Sequence, residues 1–201
     1  MGEKKVLFPK DMTFQYFFFD TYPGYFLQSL PIAILAGVLF RFIWLRKKEM
    51  PKAQKFWKSV FVCYLYGLLC MLLFIDFIGV LWYWILYRSE SGMEFCFFEW
   101  NYDFRPNPET YLRNPERIVN FLMYLPFGVL YPLATKCKSW LRTAAAGFLC
   151  SVIIELLQLV IGRAFDIDDV ILNTAGATVA AGVFFLFKKA LSREKNCGDG
   201  E

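Results

Sequence analysis

The chain contains no histidine among its 201 residues. That removes Ser-His and Cys-His nucleophile pairs and any His-ligated zinc site. Its six cysteines (Cys63, Cys70, Cys96, Cys137, Cys150 and Cys197) form no CxxC pair and read as ordinary free thiols. No Gly-rich phosphate loop is present. The opening MGEKKVLFPKDM also lacks the pattern of a cleavable signal, because its first apolar cluster, Phe14 to Phe19, is short and is followed by Asp20. That cluster reads as an interfacial aromatic segment.

What the chain does have is apolar length. Apolar residues make up 57% and aromatics 20%, and the apolar ones fall into five long runs. The runs are about Tyr25 to Leu45, Trp57 to Tyr87, Ile118 to Ala134, Trp140 to Gly162 and Val170 to Phe187. About 20 apolar residues suffice to cross a bilayer as a helix. The expected fold class is therefore all-α, a polytopic integral membrane protein with a bundle of about five transmembrane helices. Pro31 sits early in the first run, and Pro126, Gly128 and Pro132 predict a bend in the third. The second run is long enough to tilt or to begin at the interface, and Asp76 falls a little past its centre.

The charges between the runs predict orientation. Arg46, Lys47, Lys48, Lys52, Lys55 and Lys58 follow the first run, and Lys136, Lys138 and Arg142 follow the third. Lys188, Lys189, Arg193 and Lys195 follow the fifth. Beside membrane helices such clusters are topology signals that touch anionic headgroups, so no nucleic-acid partner is expected. The connection from Arg88 to Arg117 carries six acids against four arginines, and the fourth–fifth connection is acidic too. The positive-inside rule then places the N-terminus outside and the C-terminus in the cytoplasm, across the cytoplasmic membrane.

The polar residues inside the runs are the functional candidates. Ser151, Glu155 and Gln158 are spaced i, i+4, i+7 and share one helical face. A carboxylate in hydrocarbon costs roughly 3 kcal/mol on insertion scales, so Glu155 should face other helices or a wet cavity. An interhelical packing bond is the plainer reading; a site carboxylate is the functional one. Arg163, Asp166, Asp168 and Asp169 form a hairpin after that helix, and Asn173 lies one turn into the next. Asp169 near a helix start can cap free N–H groups, but three aspartates and an arginine in seven residues exceed that need. Pairing with Arg163 in a solvated hairpin competes with a weaker possibility, in which Asp166, Asp168 and Asp169 hold Mg²⁺, Ca²⁺ or Mn²⁺. No other cofactor is expected. Small residues from Ala175 to Gly182 permit close helix approach, which would bring Asn173 near Glu155. Asp76 is an intramembrane aspartate and a candidate by default, with helix packing as its alternative. With the expected orientation, Asn120, Glu155, Gln158, the hairpin, Asn173 and Asp76 all gather toward the outer side.

Three stretches carry a family resemblance: Asn120 with Pro126-Phe127-Gly128 in NFLMYLPFG, the Ser151-x3-Glu155-x2-Gln158 face, and GRAFDIDDVILNTAGA from Gly162 to Ala177. In these the chain resembles the VanZ-like family of small bacterial membrane proteins. The resemblance spans about 67–189. It leaves 1–24 as an interfacial segment, 25–66 as an added first helix with a basic connection, and 190–201 as a disordered cytoplasmic tail. It implies a protein of a Gram-positive bacterium that lowers susceptibility to teicoplanin-type glycopeptides through an envelope lipid or glycan, such as a cell-wall precursor. Two other mechanisms stay open. One is an enzyme on lipid-linked phosphate or sugar, with Glu155 or Asp169 as general base and Arg163 binding phosphate. The other is a small proton-coupled transporter using Asp76 and Glu155.

Overall fold

The computed structural model describes residues 13–88, 97–98, 101–111 and 113–198. The described chain is helical almost throughout: α1 Thr13–Asp20, α2 Tyr22–Ile43, α3 Lys52–Leu72, α4 Ile75–Tyr87, α5 Pro115–Thr135, α6 Trp140–Val160 and α7 Ile167–Gly198. Five of these, α2, α3, α5, α6 and Ile167–Leu191 of α7, are long and apolar enough to cross a membrane. Local chemistry sets where they begin. The Thr21 hydroxyl accepts from the Gly24 N–H, Asn114 from Glu116 with Pro115 behind it, and Ser139 from Arg142.

The helices are inside-out relative to those of a water-soluble protein. On α6, Thr143, Gly147, Ser151, Glu155 and Gln158 form the buried stripe, while Leu149, Ile153 and Leu156 are more than half exposed. Polar groups facing in and leucines facing out is the arrangement hydrocarbon surroundings favour, because only neighbouring helices can satisfy the polar atoms. α5 runs unbroken through Pro126 and Pro132. It lies against α7 so closely that Gly128 abuts the Ala177 carbonyl and Gly176 the Phe121 carbonyl. Tyr124 and Phe127 of α5, Leu68 and Leu73 beside them, Ile154 and Ala177 make the buried core under this seam.

Two features depart from the sequence expectation. The run from Trp57 to Tyr87 is not one helix: it breaks at Leu73-Phe74, and α4, at 13 residues, is too short to span. No proline or glycine marks the break. Its cause lies far away in the chain, since the Leu72 carbonyl accepts from Gln158 Nε2 at 3.2 Å and Arg163 Nη1 at 2.9 Å. Side chains inserted at a carbonyl interrupt the i→i−4 ladder. Asp76 consequently sits in the first turn of α4 and is half-buried, not near the middle of a long helix. At the other end, α7 continues to Gly198, well past Phe187. Four of the cysteines, Cys63, Cys70, Cys137 and Cys150, are free thiols, whereas Cys96 lies outside the described residues.

The long second–third connection is tied down by a two-residue parallel pair. Tyr102 and Asp103 (β1) lie beside Phe165 and Asp166 (β2), just ahead of α7. This small ladder places the loop from Asn101 to Tyr111 on top of the acidic hairpin.

Candidate functional site: a polar cavity at the hairpin end

α7 starts directly after β2, and Asp166 caps it by accepting the Asp168 N–H at 2.9 Å. This turns three carboxylates toward the start of α5, where Arg117 meets all of them. Its Nη2 lies 2.9 Å from Asp166 Oδ2 and 3.1 Å from Asp168 Oδ2, and its Nη1 3.0 Å from Asp169 Oδ1. Arg117, expected from sequence only as a charge that could compensate Glu155 or Asp76, is the centre of the aspartate cluster. The planar guanidinium suits this role because its donors fan out in fixed directions.

Asp168 is the most enclosed of the three, with a side chain only 2% exposed. Besides Arg117 it accepts the Asn107 N–H at 3.1 Å to each oxygen and the Tyr111 hydroxyl at 2.7 Å. Partial burial first, and then this bond to Asp168, push the Tyr111 phenol up to about 12, so it remains a protonated donor throughout the physiological range. Tyr111→Phe should therefore destabilise the protein by about 1.5–3 kcal/mol, the range for hydrogen bonds to charged groups. Thermal unfolding of the purified protein measures this, and an unchanged midpoint would show that the loop is not anchored there.

Below the cluster, Glu155 is 1% exposed and accepts the Asp166 N–H at 3.3 Å. Asn173 donates from Nδ2 to Ser151 Oγ at 3.0 Å, so its partner is one turn along α6 from Glu155. The amide oxygen of Asn173, Oδ1, is buried without a partner among the described residues.

Beside the cluster opens a cavity of about 640 Å³ between the ends of α2, α3, α5, α6 and α7. Of the residues singled out from sequence, Asn120, Gln158, Arg163, Asp166 and Asp169 line it. Asn120 faces the Asp169 carboxylate beside Arg117. Glu155, Asn173 and Asp76 are not among its lining residues; Glu155 lies near enough to Asp169 for their charges to interact, but it is buried and faces the Asp166 N–H, not the cavity. Arg163 also departs from expectation. It bonds the Leu72 carbonyl and pairs with no carboxylate among the described residues, leaving the aspartates to Arg117. The metal reading of Asp166, Asp168 and Asp169 meets the same fact, since their oxygens converge on a guanidinium. No group of three or more potential ligands is arranged for a metal among the described residues.

A family model described as VanZ/LLP1 matches residues 61–188. The chain belongs to the VanZ/LLP1 family. No curated protein and no solved structure matches it. The matched region begins within α3, holds α4 to α6 and ends within α7, so a VanZ-family multi-pass membrane domain supplies Arg117, the hairpin and most of the cavity wall. Asp20, Tyr22 and Tyr25 complete that wall from the chain ahead of the matched region.

Sequence reasoning missed the pairing of Arg117 with the aspartates, and missed Tyr111 and the Leu72 carbonyl altogether. Arg117 had a readable signal, because it precedes Asn120 by one helical turn on the same face. Tyr111 and Leu72 had none, since their roles depend on partners 57 to 91 residues away.

Proposed function

We propose that this VanZ-family protein holds the polar part of an envelope lipid or glycan in the cavity at the outer face of the cytoplasmic membrane. In doing so it lowers susceptibility to teicoplanin-type glycopeptides. The observation that carries the reading is the polar cavity itself, lined by Asn120, Gln158, Arg163 and Asp169 at the hairpin end of the bundle. The basic clusters of the sequence put that end outside, by the positive-inside rule.

The geometry favours binding over catalysis. A general base must reach its proton, and Glu155 is sealed behind the Asp166 backbone. Asp169 lines the cavity, but its Oδ1 is held by Arg117 Nη1 at 3.0 Å, so the oxygen facing Arg117 is already engaged. For a proton relay, no hydrogen-bond chain among the described residues joins Asp76 to Glu155.

The test is teicoplanin and vancomycin susceptibility in a sensitive Gram-positive host, with membrane abundance quantified. Wild type should protect against teicoplanin more than against vancomycin. Asp169→Asn and Arg163→Gln should lose protection, while Glu155→Gln, which can still accept the Asp166 N–H, should keep it. Loss in Glu155→Gln at equal abundance would favour the enzyme or relay. No protection by wild type would refute the resistance role.

A further inference from the structure

The cavity wall holds more negative than positive charge. Four carboxylates line it, those of Asp20, Glu116, Asp166 and Asp169, against the two guanidiniums of Arg117 and Arg163, and no lysine is among the lining residues. The balance is uneven in space as well as in number. Arg117 is committed to Asp166, Asp168 and Asp169, whereas Asp20 and the exposed Glu116 have no ion-pair partner among the described residues, Glu116 accepting a hydrogen bond from the Tyr22 hydroxyl. Arg163 is held through one nitrogen by the Leu72 carbonyl and pairs with no carboxylate among the described residues.

An excess of one sign of charge lining a cavity raises the local concentration of the opposite charge, here a cation. A metal ion suits it poorly, because two of the four carboxylates are engaged by a guanidinium and no three potential ligands converge. An ammonium suits it better. It needs one or two carboxylates and is attracted to aromatic faces, and Tyr22 and Tyr25 line the same wall as Asp20 and Glu116. The unpaired guanidinium of Arg163 then matches an anionic group carried by the same ligand.

We propose that the cavity binds a zwitterionic phosphate–ammonium group, its ammonium beside Asp20 and Glu116 and its phosphate on Arg163. This rests on the reading of the cavity as the ligand site and gives that ligand its chemical class. A phospholipid headgroup and a free phosphoamine share this chemistry.

The experiment uses the full chain purified in detergent and follows stabilisation by tryptophan fluorescence during heating, since a ligand that binds only the folded state raises its midpoint. The probes are dihexanoyl-phosphatidylethanolamine, dihexanoyl-phosphatidylglycerol and O-phosphoethanolamine. The ethanolamine lipid should bind at least about fivefold more tightly than the glycerol lipid. Glu116→Gln and Asp20→Asn should each weaken it about two- to fivefold, as expected for partly exposed ion pairs, without lowering the ligand-free midpoint. Arg163→Gln should weaken both lipids. Binding of O-phosphoethanolamine equal to that of the ethanolamine lipid makes the ligand a free phosphoamine; weaker binding makes it a lipid. Equal binding of the two lipids, absence of saturable binding by both amine probes, or indifference of both acid variants would overturn the proposal. Failure here with antibiotic protection intact removes the ligand class alone; binding without protection removes the resistance role alone.

Discussion

Arg117→Ala is expected to destabilise the protein by about 2–4 kcal/mol and to release the hairpin from α5. Removing one partner of a buried ion pair typically costs 3–5 kcal/mol, because the other charge stays buried without compensation. Here three carboxylates are left together. Asp168 is nearly sealed, while Asp166 and Asp169 keep 28% and 24% side-chain exposure and can recover some hydration, which sets the lower end of the range. Arg117→Lys should fall between wild type and alanine, since one ammonium keeps the charge but cannot present a planar fork to three acids. Detergent-solubilised protein followed by thermal unfolding and size-exclusion chromatography measures both. If the alanine variant unfolds with wild type, the cluster is solvated and contributes nothing to the fold.

The second large effect lies at the α5–α7 seam. A Cβ added at Gly176 would fall on the Phe121 carbonyl, and one at Gly128 on the Ala177 carbonyl and the Ala181 nitrogen. Backbone cannot swing away as a side-chain tip can, so the two helices would have to part. In a free helix, Gly→Ala is favourable by about 1 kcal/mol. Here overpacking of about 1–3 kcal/mol or more should outweigh that gain, and Gly176→Leu should abolish the folded, monodisperse species. Gly182→Ala is the internal control. Nothing lies within 4 Å of its added Cβ, so it should be neutral or stabilise by up to about 1 kcal/mol. Alanine at Gly176 that matched or exceeded wild-type stability would mean the seam is looser than the structure has it. The seam bears on the site as well, because Arg117 and Asn120 ride on α5 while Asp169 rides on α7.

The five spans were legible from sequence because the free energy of placing a helix in hydrocarbon is a sum over its own residues. Hydropathy and length therefore sufficed to count five spans, though they ran α3 on into the short α4. The inward face of α6 was legible for a related reason. Ser151, Glu155 and Gln158 cannot face lipid, and their spacing leaves one side of a helix for them. The hairpin residues Asp166 and Asp169, with Asn120, Gln158 and Arg163, were likewise found as candidates, and all five line one cavity.

Which of those residues touch was decided by the tertiary structure alone. Asp166, Asp168 and Asp169 could have paired with Arg163 a few positions away; instead they meet Arg117, 49 to 52 residues earlier in the chain. Arg163 turned to the Leu72 carbonyl, and α3 and α4 meet at a break that no local residue marks. Glu155 shares the helical face of Gln158, yet Gln158 lines the cavity and Glu155 is covered by the Asp166 N–H. Periodicity reports which side of a helix is polar, because burial acts on each residue separately. It carries no record of which neighbour arrives on that side, and here the neighbours are fixed by the close approach of α5 to α7 and by the two-residue pairing of β1 with β2.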